Sequence, residues 1–251
     1  MKKIMKLMMV LVSMLVIGCG SEKTAETKEE KVYIVGTAPN FVPFEYMEGD
    51  KIVGFDMDLL DEIGKESGLK FKVVGMDFSG LLPALQTKKI DLIVAGMSVT
   101  EARKKNVNFS LPYFDVSQVI MVGEGTKDIE KEMDIAGKKI GVVMGTTSDT
   151  IADGFASKLD GVEVQKYNKL HEAVLSLQAK KIDMIILDYQ QASKTIEKNS
   201  GLTLATHVLQ SENYAIAIGK EDVELLNKID KALKNIVDGE KYNELVKTYI
   251  K

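Results

Sequence analysis

Arginine is nearly absent from this chain. Its 251 residues include 33 basic side chains, of which Arg103 is the one arginine and the rest are lysine. Lys serves wherever a plain positive charge is enough. Arg103 therefore marks a position where a planar fork of donors, able to grip a carboxylate through two parallel hydrogen bonds, offers what an ammonium does not. Cysteine is as scarce: Cys19 stands alone, which excludes an intramolecular disulfide. The two histidines, His171 and His207, have no Cys or His nearby in sequence, so no metal site is expected. A P-loop is missing too, because Gly145-Thr146-Thr147 is not followed by Lys and Ser or Thr. No nucleophile has a general-base partner in its sequence context, and no cofactor is implied. The net charge of −4 lacks the basic surplus that nucleic acid would ask for.

Long apolar runs are limited to one. Lys2, Lys3 and Lys6 precede the uncharged residues 7–17, too short to span a bilayer comfortably and of the length of a secretory hydrophobic region. The run ends at Val16-Ile17-Gly18-Cys19, which resembles the lipobox of bacterial lipoproteins. In that family the signal is removed and the Cys becomes the diacylated, palmitate-bearing first residue. The expectation is a signal peptide over residues 1–18, a lipidated Cys19, and a polar tether through residue 30. Loss of residues 1–18 leaves 30 basic against 37 acidic residues, a net charge of −7. The charge runs at residues 28–31, 56–62 and 128–134 read as solvated surface, the second also favouring the start of an amphipathic helix with Phe55, Leu59, Leu60 and Ile63 on its apolar face. The roughly 220 residues that follow the tether suit one large domain or two small ones.

An internal repeat chooses between those. Leu85-Gln86-Thr87-Lys88-Lys89-Ile90-Asp91-Leu92-Ile93 recurs as Leu177-Gln178-Ala179-Lys180-Lys181-Ile182-Asp183-Met184-Ile185. Each copy reads as a helix end, a Lys-Lys turn and a buried strand. Upstream of each lies another β-rich run closed by Gly-Thr, residues 32–35 before Gly36-Thr37 and 140–144 before Gly145-Thr146. Two related α/β lobes follow from that order of elements. In open α/β sheets ligands bind beyond the carboxyl ends of strands. The first repeat strand runs into Gly96-Met97-Ser98-Val99-Thr100-Glu101-Ala102-Arg103, and the second ends at Asp188. If the lobes face each other, an acid confronts an arginine with hydroxyls between them. That is the complement of a zwitterion, an α-amino acid.

The chain also resembles the extracytoplasmic amino-acid-binding proteins of ABC importers, solute-binding protein family 3, over residues 31–251. The stretches that carry the resemblance are Gly36-Thr37 with Phe41-Val42-Pro43-Phe44-Glu45-Tyr46; Gly54-Phe55-Asp56-Met57-Asp58-Leu59-Leu60; Met76-Asp77-Phe78-Ser79-Gly80-Leu81-Leu82-Pro83-Ala84-Leu85-Gln86; and the loop 96–103 followed by Phe109-Ser110-Leu111-Pro112-Tyr113. The resemblance implies a two-lobed, periplasmic-binding-protein-like α/β fold (type II) with two β-strand hinge crossovers. Lobe 1 would comprise residues 31–116 and 217–251, and lobe 2 residues 117–216. The crossings are expected near 113–119 and 213–218, with the β-rich runs 119–122 and 214–218 as hinge strands. Leu225, Leu226, Ile229, Leu233, Ile236 and Val237 recur at helical spacing and Gly239 is a natural stop.

Carried over by motif, Arg103 would hold the ligand α-carboxylate. Gly96, Met97 and Ser98 would form the contact loop, with Ser98 and the Gly96 carbonyl near the ammonium and carboxylate. Thr147, at the start of a helix bearing Ile151, Phe155 and Leu159, would offer its amide to the carboxylate, and helix N-termini favour anions. Asp188 would pair the ammonium. Phe41 and Phe78 match aromatics that sandwich the ligand side chain; core packing is the alternative, which periodicity alone does not exclude. Two departures matter. Ala38 stands where glutamine and arginine binders often carry an acid, and Val143 where they often carry Lys or Gln. A buried cationic side chain needs a partner, so a free amino acid with a neutral polar side chain is favoured, with Asn40 and Asp77 to supply polarity. The implied partners are the transmembrane subunits of an ABC permease, the membrane through the lipid anchor, and no nucleic acid. The implied state is monomeric, extracytoplasmic and non-enzymatic. A cyclohexadienyl-dehydratase-like enzyme on the same fold is the rival reading, and a sensory lobe pair a third.

Overall fold

The computed structural model describes residues 31–126, 129–237 and 239–250; the expected signal peptide, Cys19 and the tether lie outside them. The chain opens with β1 (Val32–Thr37), a small antiparallel meander of β2 (Asn40–Phe41), β3 (Glu45–Glu48) and β4 (Lys51–Val53), then α1 (Phe55–Ser67), β5 (Lys70–Gly75), α2 (Phe78–Gln86), β6 (Leu92–Ile93), α3 (Glu101–Lys104) and β7 (Val107–Phe109). It continues through β8 (Phe114–Gly123), β9 (Lys139–Val143), α4 (Thr147–Lys158), β10 (Glu163–Tyr167), α5 (Leu170–Gln178), β11 (Met184–Asp188), α6 (Tyr189–Lys198) and β12 (Leu202–Tyr214). It closes with β13 (Ala217–Gly219), α7 (Val223–Ile236) and α8 (Glu240–Tyr249).

Two five-stranded sheets result, ordered β5-β1-β6-β13-β7 and β10-β9-β11-β8-β12. In each, the first three strands are parallel, the fourth runs against them, and the fifth is antiparallel to the fourth. The parallel strands carry helices on both faces, so they read as continuous apolar runs: all five residues of β11 and both of β6 are buried. Each sheet is packed on both sides by apolar clusters, the largest of which also holds Phe44, Phe55, Tyr113 and Tyr214. The helices obey local rules. α1 has Asp56 and Asp58 in its first turn and ends at Gly68, whose φ of 72° and N–H to Gly64 O make a left-handed stop. α7 buries Leu225, Ile229, Ala232, Leu233 and Ile236 on one stripe, and Gly239 begins α8 as its N-cap.

The repeat is visible to the atom. Lys88 and Lys180 are the non-glycine residues with positive φ among those described, at 57° and 56°. Asp91 Oδ2 accepts from Ile34 N and Asp183 Oδ2 from Lys139 N, both at 2.7 Å. The two sheets are joined by a ribbon in which residues 114–118 of β8 pair with 210–214 of β12. Residues 119–122, expected in the hinge, instead lie inside the second sheet, paired with β11. Their run of Val, Ile, Met and Val is the signature of a buried central strand, and a hinge strand shares that composition until its neighbours are known. The ribbon is pinned to the loop after β6: Val99 N donates to Asn213 O and Ala215 N to Met97 O.

Candidate functional site

In both sheets the first strand lies between the other two parallel strands, so strand order reverses there and a crevice opens at the carboxyl ends. The ends of β1 and β6 supply Ala38 and the loop from Gly96; those of β9 and β11 supply residues 145–147 and Asp188. Together they wall a cavity of about 50 Å³. Phe41, Phe78, Gly96, Ser98 and Arg103 line one side, and Thr147 and Asp188 the other. Met97 does not line it: its side chain is fully buried in the core and its carbonyl accepts Ala215 N. A loop residue between two lining residues points the opposite way, as successive extended residues do.

Arg103 sits on α3, whose N-cap Thr100 accepts from Arg103 N at 3.2 Å. Its guanidinium donates through Nη1 to Ser98 O at 2.6 Å and through Nη2 to Gly145 O at 3.0 Å, tying the two walls together. Phe78 lies under it, with Cζ 5.6 Å from the ring centre. Burial pulls the guanidinium pKa down from its usual value, and Glu212 and Asp188 oppose that shift. Phe41 packs on Phe44 at 5.2 Å and edge-on to Tyr214 at 6.1 Å, so it serves core and cavity at once. Gly96 has φ 50°, and a Cβ there would fall 2.3 Å from the Phe41 ring. Only glycine lets the loop and that ring share the wall.

Opposite, Asp188 ends β11 and stands at the N-cap position of α6 without a side-chain capping bond. Burial raises its pKa to about 7, helped by the charge of Glu212 and countered by the Tyr214 phenol and Arg103. Gln118 Nε2 donates to Asp188 Oδ1 at 2.7 Å and reaches Thr147 Oγ1 at 3.2 Å and Glu212 Oε2 at 3.3 Å. Thr147 Oγ1 donates to Glu212 Oε2 at 2.8 Å, and Ser148 Oγ to Gln118 Oε1 at 2.7 Å. The Thr147 hydroxyl is thus engaged by Glu212, while α4, capped by Thr146, begins with amides that have no acceptor within the helix. Asn40, Asn168, Lys169, Leu170 and Gln191 complete the wall, with Ala38 and Val143. Asp77 is the N-cap of α2 and is not among the lining residues.

Sequence reasoning missed Gln118, Glu212, Tyr214 and Gln191. The first three belong to the joining ribbon, where alternation gives no reason to single out one polar residue. It also took Asp56 for surface. Asp56 is fully buried and its Oδ2 accepts Gly96 N at 2.8 Å and the Tyr113 hydroxyl at 2.8 Å; the acid at the second position of α1 turns inward to hold the loop. Among the described residues no group of His, Cys, Asp or Glu is arranged to hold a metal ion, and no helix is long and apolar enough to cross a membrane.

An arginine and an acid on opposing walls, with aromatic faces and amides between, can hold a zwitterion and orient its side chain. Comparison with known proteins adds to this. The profile of the family described as "Bacterial extracellular solute-binding proteins, family 3" matches residues 33–251. A "Probable histidine-binding protein" of Campylobacter jejuni is 35% identical over 221 residues, covering 86% of this chain and 83% of the relative. The "Arginine-binding extracellular protein ArtP" of Bacillus subtilis is 32% identical over 234 residues, covering 92% and 91%. The solved structure of "An ancestral arginine-binding protein bound to arginine" superposes with a TM-score of 0.83 at 38% identity, over 88% of this chain and 98% of that one.

Proposed function

Because the chain belongs to the bacterial extracellular solute-binding proteins, family 3, we propose that it captures a free L-α-amino acid outside the cytoplasmic membrane and hands it to the transmembrane subunits of an ABC permease. The observation that carries this is the placement of Arg103 and Asp188 on opposite walls of one cavity. In the bound state the α-carboxylate takes the guanidinium fork and the amides at the start of α4, and the α-ammonium takes Asp188. The side chain then lies between Phe41 and Phe78. Beyond them the wall offers Asn40, Asn168 and Gln191 and no acid other than Asp188, which favours a neutral polar side chain such as a carboxamide. The relatives named for arginine and histidine favour a cationic one instead. Lobes of residues 31–116 with 217–251 and of 117–216 close by bending the β8–β12 ribbon. Cys19 carries the lipid anchor, and the body acts as a monomer.

A thermal-shift screen of the twenty amino acids tests the reading. One amino acid, or a few related ones, should raise Tm and be recovered unchanged after incubation. A screen in which none shifts Tm rejects amino-acid capture, and conversion of the ligand would restore the dehydratase-like alternative.

A further inference from the structure

Directly behind the binding loop lie two buried acids that the capture of an amino acid does not use. Glu45 on β3 and Asp56 at the start of α1 are both 0% exposed. Asp56 Oδ2 is occupied, accepting Gly96 N and the Tyr113 hydroxyl. Asp56 Oδ1 and both oxygens of Glu45 are sealed from solvent and meet no donor while both groups are carboxylates. The titratable groups acting on Glu45 are Asp56, Asp188 from across the cavity, and the phenols of Tyr113 and Tyr214. None is a cation. Their chain neighbours Phe44 and Phe55 are 0% exposed and pack edge to face, so the segments that carry the two acids lie in an apolar core. Two adjacent carboxylates in such a place repel and leave three oxygens without partners, a costly arrangement. One proton removes most of that cost, because a protonated Glu45 donates to the free oxygen of Asp56.

We propose that Glu45 and Asp56 hold one proton between them and that this pair positions residues 96–98, Glu45 fixing Asp56 and Asp56 fixing the amide of Gly96. Burial first, then the neighbouring charge of Asp56, raises the Glu45 pKa well above its usual value, and burial takes Asp56 to about 6. The one-proton state holds above about pH 6, below which Asp56 takes a second proton, and its support of the loop is lost as pH rises through the raised folded-state value of Glu45. Glu45 is a positioning residue, since Gly96 and Ser98 line the cavity and it does not. The loop's role in ligand capture rests on the amino-acid reading above; the shared proton does not.

Infrared difference spectroscopy of the ligand-free protein tests the proton. At pH 7 the wild type should show a carbonyl band of a protonated carboxylic acid that Glu45→Gln lacks; superimposable spectra overturn the pair. Positioning is tested with L-glutamine, L-arginine and L-histidine by calorimetry. Glu45→Gln supplies a permanent neutral donor, so it should bind within about threefold of wild type and lose the decline in affinity at alkaline pH. Glu45→Ala should bind roughly tenfold or more weakly and exchange the Gly96 amide faster. If Glu45→Ala binds as wild type with Gly96 equally protected, the positioning role is overturned. If none of the three amino acids binds wild-type protein, the capture reading fails, while the infrared and exchange results still decide this proposal.

Discussion

In the first sheet β1 lies between β5 and β6; in the second β9 lies between β10 and β11. The likeness of the two regions extends to single atoms. A lysine in the left-handed region turns each chain before the third strand. An aspartate at each turn clamps the start of the first strand, with its own N–H given back to a carbonyl there at 2.8 Å. A glycine in each first strand, Gly36 or Gly141, leaves room for the end of Ile90 or Ile182, 2.4 and 2.5 Å from where a Cβ would stand. The regions part company at the carboxyl ends of the strands. β6 is two residues long and gives way to a loop and short helix that deliver a cation; β11 runs five residues and delivers an acid. One framework used twice therefore presents opposite charges across one cavity. The lesson is that the framework residues set the distance and the strand ends set the chemistry.

The largest effect should come from removing the charges on which the two regions differ. Arg103→Ala removes both the fork for a carboxylate and the bridge from Ser98 O to Gly145 O. Loss of a partner from a buried charge pair costs about 2–5 kcal/mol, so affinity for the amino acid should fall roughly thirtyfold to several-thousandfold. Arg103→Lys should sit at the low end of that range, because it keeps the charge without the fork. Asp188→Asn should cost less, about tenfold to a hundredfold, since an amide still accepts from the ammonium. The two variants differ again in pH dependence. Wild-type Asp188, with its pKa near 7, must be ionised to pair the ammonium. Affinity should therefore fall as pH drops through 7 and protons should be released on binding, in Arg103→Lys as in wild type but not in Asp188→Asn. Calorimetry in buffers of different ionisation enthalpy reads both quantities; a pH-independent wild type would remove Asp188 from the ammonium.

How much of this was legible in the sequence follows the same division. The framework could be read, because a nine-residue recurrence and Gly-Thr after each apolar run are local signals. Arg103 and Asp188 could be read, because they sit at fixed offsets from that recurrence. Glu45, Asp56, Gln118 and Glu212 could not. Local pattern marks none of them as buried; their burial is set by partners distant in the chain, as in Asp56 with Gly96 and Gln118 with Glu212. Ala38 and Val143, noted as departures from relatives, do stand on the cavity wall, so their consequence for the side chain taken there remains a property of the site.

A smaller effect tests whether the shared framework is shared energetically. Gly36→Ala and Gly141→Ala each drive a methyl into an isoleucine Cδ1 within a closed core, both isoleucines being 2% exposed. Overpacking of this kind costs about 1–3 kcal/mol, or a fall in Tm of roughly 2–10 °C. Pairing each with Ile90→Val or Ile182→Val removes the offending carbon and should restore much of the loss. The comparison is sharpened if both pairs behave alike. It breaks if one glycine tolerates alanine without penalty, because the two strands would then approach their helices and turns differently.

The smallest effect concerns the two lysine turns. A side chain at φ 57° or 56° crowds its own backbone, a strain that glycine escapes at the expense of greater freedom when unfolded. Relief and entropy nearly offset, so Lys88→Gly and Lys180→Gly should each raise Tm by no more than about 1–3 °C. Lys88 differs from its counterpart in one respect: its Nζ lies 2.7 Å from Glu221, both groups being well exposed. Ion pairs of that kind contribute little and are screened by salt, but the pair ties the turn after α2 to the start of α7, which has no equivalent beside the second sheet. Lys180→Gly should consequently give the larger rise at low ionic strength, and the two variants should converge as salt is added. Differential scanning calorimetry at two salt concentrations separates the cases: a difference between the variants that survives high salt would mean that the turns themselves, and not the contact to α7, are unlike.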